Sequence, residues 1–309
     1  MSPAKQRVEI AGRQLGVSNL EKVLFPEVGF TKAQVIDYYV RIAPVLLPHV
    51  AGRPVTFTRW PDGVEGQAFY EKNSARHAPE WVRRVTIPSP GSSRGRETLD
   101  MVVLEHVADL AWAANLAALE VHVPQWQVDD DGEPQLPDLL VLDLDPGPDT
   151  GILECCHVAE RLGARLEADG LDPVVKTSGS KGMQVYAPVE AADRDHPSRY
   201  AKTLAQELSA ETPDDVVWRM EKALRPGKVL IDWSQNNTAK TTVAPYSLRA
   251  RAGATVSTPI GWDEVDAVRD GSLDPAALRF TTDEVLARVE EYGDLFDVAG
   301  ARRAPLPDL

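Results

Sequence analysis

The sequence predicts an α+β fold, a mixed α/β arrangement rather than a doubly wound parallel sheet. Three observations point there. Two stretches, RRVTIPSPGSSRGRETLDMVVLEH (83–106) and PVVKTSGSKGMQVYAPV (173–189), read as strand, Gly-rich turn, strand. Such adjoining strands pair as hairpins, so they run antiparallel. Amphipathic helical segments such as LECCHVAERLGARLEADGL (153–171) are interspersed without strict strand–helix alternation. That pattern is the mark of α+β or mixed layers.

The remaining elements follow in order. GVSNLEKVLFPEVGF reads as a loop, and a helix starts at about Thr31, which is placed as an N-cap with Gln34 three residues on, a capping box. Val35, Tyr38, Tyr39 and Ile42 then recur at helical spacing. RPVTFTRWP (53–61) reads as a strand, and GQAFYEKN (66–73) as a strand or strand end. ADLAWAANLAALEVH (108–122) reads as one buried Ala/Leu helix. PDLLVLDLDPG (137–147) is a strand stopped by its prolines. The helix over 153–171 is stopped by Gly170. SRYAKTLAQELSAETP (198–213) is a further helix, and GKVLIDWSQN (227–236) a strand with a carboxylate near its end.

The bulk properties narrow the classes. With 309 residues the chain can bury a large core, and we read residues 1–309 as one domain with an acidic C-terminal part over 259–309. No apolar run approaches a membrane span, and MSPAKQRVEI lacks the apolar core of a signal peptide, so a cytoplasmic protein with no membrane partner is expected. Cys155 and Cys156 are adjacent in a helix and point apart, which disfavours a disulfide and gives no zinc-ligand spacing. The net charge of −14 argues against indiscriminate nucleic-acid binding. It hides an asymmetry: Met1–Trp60 holds eight Lys/Arg against four Asp/Glu, Arg219–Arg251 seven against two, and Pro259–Leu309 five against twelve. Basic surfaces of that kind can take phosphates, or can be solvated faces.

The chemistry sits in three stretches. In LVLDLDPGP (140–148), period-two alternation puts Asp143 and Asp145 on one face of a strand. Two such carboxylates repel unless a cation lies between them. A charged strand end entering a turn, a D-x-D phosphatase, and a nucleotidyltransferase holding divalent ions all fit this stretch alone. In KTSGSKG (176–182), glycines allow a tight turn that can direct N–H groups at a phosphate, Ser178 offers a hydroxyl and Lys181 a charge; the spacing is not that of a P-loop, and on this stretch alone an ordinary hairpin turn is the favoured reading. In VLIDWSQNNTAKTTVAPYSLRAR (229–251), Asp232 ends an apolar strand, with Gln235, Lys240, Arg249 and Arg251 following. Three strand-end carboxylates with cationic groups nearby suit Mg²⁺ or Mn²⁺ and phosphoryl or nucleotidyl transfer.

VLDLDPGP, KTSGSKG, ALEVHVPQW and DWSQNNTAKTTVAPYSLRAR together resemble the polymerase domain of bacterial ATP-dependent DNA ligase D, of the archaeo-eukaryotic primase superfamily. The resemblance runs from about Val17 to at least Trp262. It implies a primase-type core with mainly antiparallel sheets flanked by helices. It implies a template-dependent polymerase that adds NTPs or dNTPs at gaps or broken ends with two Mn²⁺ or Mg²⁺ ions, during non-homologous end joining. On the matching positions, Asp143, Asp145 and Asp232 would bind metal. Ser178, near the ribose 2′-hydroxyl, and Lys181 would hold the nucleotide, and His122 the triphosphate. Arg59, Arg225, Gln235 and Arg249 would be further active-site polar groups, and Phe69 and Tyr70 the aromatic pair under the base. Asn19, Lys22 and Lys32 would grip a downstream 5′-phosphate.

Two positions depart from the family. Thr58 stands where Lys is common before Arg59-Trp60, and Gln184 where His is common after the glycine turn, which predicts a slow or strongly Mn²⁺-dependent enzyme. The lysine-x-Asp-Gly pattern of a ligase is not seen, so a stand-alone monomeric polymerase is expected, nucleoid-associated, with a separate ATP-dependent ligase and the end-binding protein Ku as partners. The competing readings are the D-x-D phosphatase, which gives Asp232 no role, and a non-catalytic binder of 5′-phosphorylated ends.

Overall fold

A computed structural model describes residues 6–73, 76, 78–89, 95, 97–298 and 300–308. Most of the Gly/Ser/Pro-rich stretch between the two strands expected within 83–106 lies outside the described residues. The chain opens with a hairpin, β1 (Gln6–Ile10) and β2 (Arg13–Val17), then a short pair, β3 (Val23–Phe25) and β4 (Phe30–Thr31). Helix α1 (Lys32–Val50) begins at the expected cap: the Gln34 amide N donates to Thr31 Oγ1, and the Thr31 N–H donates to Gln34 Oε1 at 2.8 Å. Its Val35, Tyr38, Tyr39, Ile42 and Leu46 face is buried. Tyr38 and Tyr39 spend their hydroxyls on the carbonyls of Tyr246 and Leu119, as buried polar tips must.

Strands β5 (Pro54–Arg59), β6 (Phe69–Glu71), β7 (Arg83–Pro88) and β8 (Thr98–Val103) precede α2 (Val107–Asn115) and β9 (Ala118–Val123). The run expected to be one helix over 108–122 is therefore a helix followed by a strand. Ala117 takes φ +56° and reverses the chain, and Leu119, Val121 and Val123 then alternate into the core. Ala and Leu suit both elements when buried, so composition masked the break.

A small hairpin, β10 (Trp126–Val128) with β11 (Pro134–Pro137), leads to β12 (Leu139–Pro146), α3 (Ile152–Ala168), β13 (Val174–Thr177), β14 (Met183–Glu190) and α4 (His196–Glu211). Gly170 ends α3 at φ +79°, as the sequence suggested. Then come β15 (Val216–Val217), β16 (Val229–Asp232), β17 (Thr242–Val243), β18 (Pro259–Ile260), α5 (Trp262–Arg269), α6 (Thr282–Tyr292) and β19 (Ala304–Pro305).

Two sheets result. One has the order β15-β16-β12-β14-β13-β18, with β19 beside β14; the other is β17-β9-β5-β8-β7, with β6 beside β5. All of their pairings are antiparallel except β15–β16 and β14–β19. The α+β expectation thus holds. One apolar cluster joins both sheets to α1–α6, burying Cys155 and Cys156 as free thiols. Burial pushes the Cys156 thiol up to about 12. At the entry to β12, buried Asp138 takes a two-pronged contact from Arg53, at 2.8 Å on each oxygen, and a third from Arg303. Pairing and hydrogen bonding of this kind are what a buried charge requires. Among the described residues no helix is long and apolar enough to cross a membrane.

Candidate active site

The register of the first sheet builds the site. Asp232 on β16 lies directly opposite Asp143 on β12, Asp143 opposite Gln184 on β14, and Gln184 opposite Lys176 on β13. Opposed residues share a face, so one row carries two carboxylates, an amide and a lysine, with Asp145 two positions along β12. Asp143, Asp145 and Asp232 each present an oxygen within 4.8 Å of the others. Pro146 still pairs with Val229 on the β16 side, so the proline brake acts only toward β14, where the ladder ends at Leu144. A close approach holds the turn behind it: a Cβ on Gly182 would stand 2.0 Å from the Leu144 carbonyl oxygen.

The electrostatics are those of a concentrated anionic site. Burial, reinforced by the charges of Asp145 and Asp232, pushes the Asp143 carboxyl far above the ordinary carboxylate range. Burial and Asp232 raise Asp145 too, against the pull of Arg225 and Arg249. Asp143 and Asp232 are each held by neighbours. Gln184 Nε2 donates to Asp143 Oδ1 at 2.9 Å, Gln235 Nε2 to Asp232 Oδ2 at 2.8 Å, and the Ser234 N–H and hydroxyl to Asp232 Oδ1. Lys240 reaches the Ser234 hydroxyl in turn. Lys176 is fully buried and donates to Ser257 Oγ at 2.6 Å; burial, with Arg249 nearby, holds its amine well below the usual lysine range.

The 177–183 turn is organised by Ser178. Its Oγ accepts the N–H groups of Ser180 and Gly182, both at 3.2 Å, and its carbonyl accepts from Arg249 Nη1. Those two N–H groups therefore turn inward rather than toward a phosphate, while the Ser178 O–H keeps its own proton for a ligand. Gly179, at φ +66°, is needed because a Cβ would stand 2.6 Å from the Val256 backbone. Lys181 stands exposed on the turn.

The second sheet contributes the opposite wall. Glu120 and His122 share the face of β9 that Thr58 and Thr56 of β5 adjoin. His122 Nε2 lies 3.0 Å from Glu120 Oε2, and Arg249 Nε 3.0 Å from Glu120 Oε1. Tyr70, about half exposed, meets His122 edge-on at 6.3 Å and pairs its hydroxyl with Thr241. Phe69, one position away, registers with Arg59; the expected aromatic pair therefore presents one ring, Tyr70, to His122. Arg59 is engaged by Glu71 and the Leu116 carbonyl, and Arg225 by the Met220 carbonyl. Glu120, Ser234 and Lys176 were not singled out in the sequence. Period-two alternation with His122 marks Glu120, whereas Lys176 is marked only by a cross-strand register.

Asn19, Lys22 and Lys32 converge at the start of α1. The Lys22 N–H bonds to the Asn19 carbonyl and the Lys32 N–H to the Lys22 carbonyl. Lys32 Nζ donates to the Ser18 carbonyl, and Lys22 Nζ pairs with Asp62 at 2.9 Å. Burial, then the Lys22 charge, lowers the Lys32 amine to about 8. A lysine in the first turn also opposes the helix dipole, so this cluster gathers positive charge at the helix N-terminus, offset in part by Asp62.

Comparison with known proteins gives one consistent answer. The family model of the LigD primase-polymerase domain matches residues 31–296. The chain is 43% identical over 293 residues to the multifunctional non-homologous end joining protein LigD of Mycolicibacterium smegmatis, covering 94% of this chain and 37% of that protein. It is 30% identical over 284 residues to the bifunctional non-homologous end joining protein LigD of Bacillus subtilis, covering 91% of this chain and 43% of that protein. It thus spans about two fifths of the length of these relatives. A solved structure, the polymerase domain from Mycobacterium tuberculosis ligase D in complex with DNA, superposes with a TM-score of 0.84 at 40% identity, over 92% of this chain and 96% of that one. With the matched region running from the α1 cap through all three strand-end carboxylates, the chain belongs to the LigD primase-polymerase family.

Proposed function

We propose that this chain, acting as one domain, is a template-directed polymerase that extends a primer with NTPs or dNTPs at gaps or broken DNA ends, in non-homologous end joining. The observation that carries this reading is the Asp143–Asp145–Asp232 triangle. Its oxygen-only donor set suits hard divalent cations, and its raised carboxyls mark a concentration of negative charge that a cation would relieve. Asp143, Asp145 and Asp232 would hold two Mn²⁺ or Mg²⁺ ions, which would supply Lewis-acid stabilisation of the attacking and leaving oxygens.

The chain's own residues do the rest. Gln184, Gln235 and Ser234 fix the carboxylates' orientation. The primer 3′-oxygen bonds to the α-phosphorus as the bond to pyrophosphate breaks. His122, Lys181 and Arg249 are set around the triphosphate to take up its growing negative charge. Tyr70 offers its ring to the base, and Ser178 its free O–H to the ribose 2′-hydroxyl. Asn19, Lys22 and Lys32 receive the downstream 5′-phosphate. An ATP-dependent ligase activity and Ku complete the repair in the cytoplasm, at the nucleoid, with the polymerase a monomer. The D-x-D phosphatase leaves Asp232 unused although it faces Asp143 directly.

The test is a gapped duplex with a downstream 5′-phosphate, Mn²⁺ and each NTP offered singly. Extension only by the NTP complementary to the template base supports the proposal. Phosphate release without extension favours the phosphatase, and binding without either leaves a binder of phosphorylated ends.

A further inference from the structure

Glu120 takes no part in the steps above, yet it lies where β9, the Ser178 turn and the segment after β17 meet. Its side chain is 9% exposed and accepts three contacts: Arg249 Nε and the Ala250 N–H, both on Oε1 at 3.0 Å, and His122 Nε2 on Oε2 at 3.0 Å. Burial alone would raise its carboxyl; the hydrogen bond from His122 and the charge of Arg249 outweigh that and hold it at about 2. Glu120 is therefore a carboxylate at working pH and can only accept. Two consequences follow. Nε2 of His122 must carry a proton to bond to Glu120, so a phosphate oxygen, itself an acceptor, is met at Nδ1 only by the imidazolium, protonated on both nitrogens. The Arg249 guanidinium is held through Nε while Nη1 reaches the Ser178 carbonyl, so its plane is fixed relative to the turn.

We propose that Glu120 is a positioning residue for nucleotide binding, holding His122 and Arg249 as one preassembled pair with the Nδ1–H of a His122 imidazolium directed at the triphosphate. This rests on the reading of the site as a nucleotide site. The opposed position on β5 is Thr58, a residue with no charge to draw Glu120 away from its two partners.

Glu120→Gln is the informative change. The amide oxygen can still serve Arg249 and Ala250, but its NH₂ then faces His122 Nε2, which must give up its proton and become an acceptor. The ring then keeps a proton on Nδ1 alone, and the charge that the Glu120 carboxylate balanced is lost from the contact with the triphosphate. The KM for the NTP is expected to rise about tenfold or more, the scale of one charge-assisted hydrogen bond, with kcat changed far less. In a His122→Ala background the same substitution should cost much less, because its effect runs through the imidazole. Nitrogen NMR of the imidazoles, with six histidines to resolve, should show His122 protonated at Nε2 in the wild type and at Nδ1 in Glu120→Gln. Added Mg-ATP should leave both ring nitrogens protonated in the wild type and only one in Glu120→Gln.

A wild-type ring protonated at Nδ1 with a bare Nε2 overturns the proposal, even if the variant fails to fold. So does an unchanged KM in a folded Glu120→Gln, or the full KM cost persisting in His122→Ala; in these cases a wild type that still extends primers keeps the polymerase reading. A wild type that neither extends a primer nor binds Mg-ATP removes that reading and this proposal with it.

Discussion

Replacing Asp143 by Asn should make the metal-free protein more stable, not less. Asn keeps the size of the side chain and an acceptor oxygen for Gln184 Nε2, and it removes one charge from a cluster of three. The folded Asp143 carboxyl titrates at about 7, against 3.8 for an unperturbed aspartate. A raised carboxyl means that the folded state binds the proton more tightly than the unfolded one. Its cost to stability is therefore absent below about pH 4, grows as pH rises toward about 7, and is constant above. About three pH units at 1.36 kcal/mol each give a ceiling of about 4 kcal/mol. Asp145, whose carboxyl is raised as well, titrates together with Asp143, which lowers the expectation to about 1–2 kcal/mol, or a few degrees in Tm for a chain of this size. Thermal unfolding in EDTA at about pH 4.5 and about pH 8, repeated with Mn²⁺, measures this. The variant should exceed the wild type at the higher pH, match it at the lower, and show little Mn²⁺ stabilisation, while the wild type gains strongly. A variant less stable than the wild type at the higher pH in EDTA, or equally stabilised by Mn²⁺, would refute the reasoning.

Four further outcomes follow from the same geometry. Lys22→Ala with Lys32→Ala should abolish any preference for a 5′-phosphorylated gap, and since the Lys32 amine loses its proton at about pH 8, the wild-type preference should weaken as pH rises past that value; binding titrations with both gaps on either side of it check this. The wild type should use NTPs better than dNTPs, and Ser178→Ala should narrow the gap while also loosening the turn whose N–H groups it accepts, read as kcat/KM for one base with each sugar. Thr58→Lys should give no gain in kcat/KM, because the new ammonium would face Glu120 and compete with His122 and Arg249. Gln184→His, which keeps a donor beside Asp143, should be the better tolerated of the two in the same steady-state assay.

That last pair shows what strand register adds to sequence. Counting charges made Thr58 and Gln184 look like missing cations beside a triphosphate. In the fold, Gln184 orients a carboxylate of the triad and Thr58 adjoins one that anchors two cationic groups. Local patterns were legible: the Thr31–Gln34 cap, Gly170 and the shared face of Asp143 and Asp145 all depend on neighbours within a few residues. The placement of Asp232 opposite Asp143 depends on a pairing 89 residues apart, and no periodicity encodes it. The N-terminal hairpin was missed because its reversal uses Ala11 and Gly12 at positive φ, where Asn-Gly would have been the clear signal. In the sequence the C-terminal part stands out only as acidic. Its Phe296 nevertheless packs on Val141 and Tyr186 of the sheet that bears the triad, and Asp294 ties His49 of α1 to Tyr246.

The most direct measurement is anomalous diffraction from crystals soaked in Mn²⁺ with a non-hydrolysable NTP. The account predicts Mn²⁺ peaks bracketed by Asp143, Asp145 and Asp232, with the phosphates turned toward His122 Nδ1 and Arg249. Peaks elsewhere, or a nucleotide seated away from Glu120 and its two partners, would contradict it.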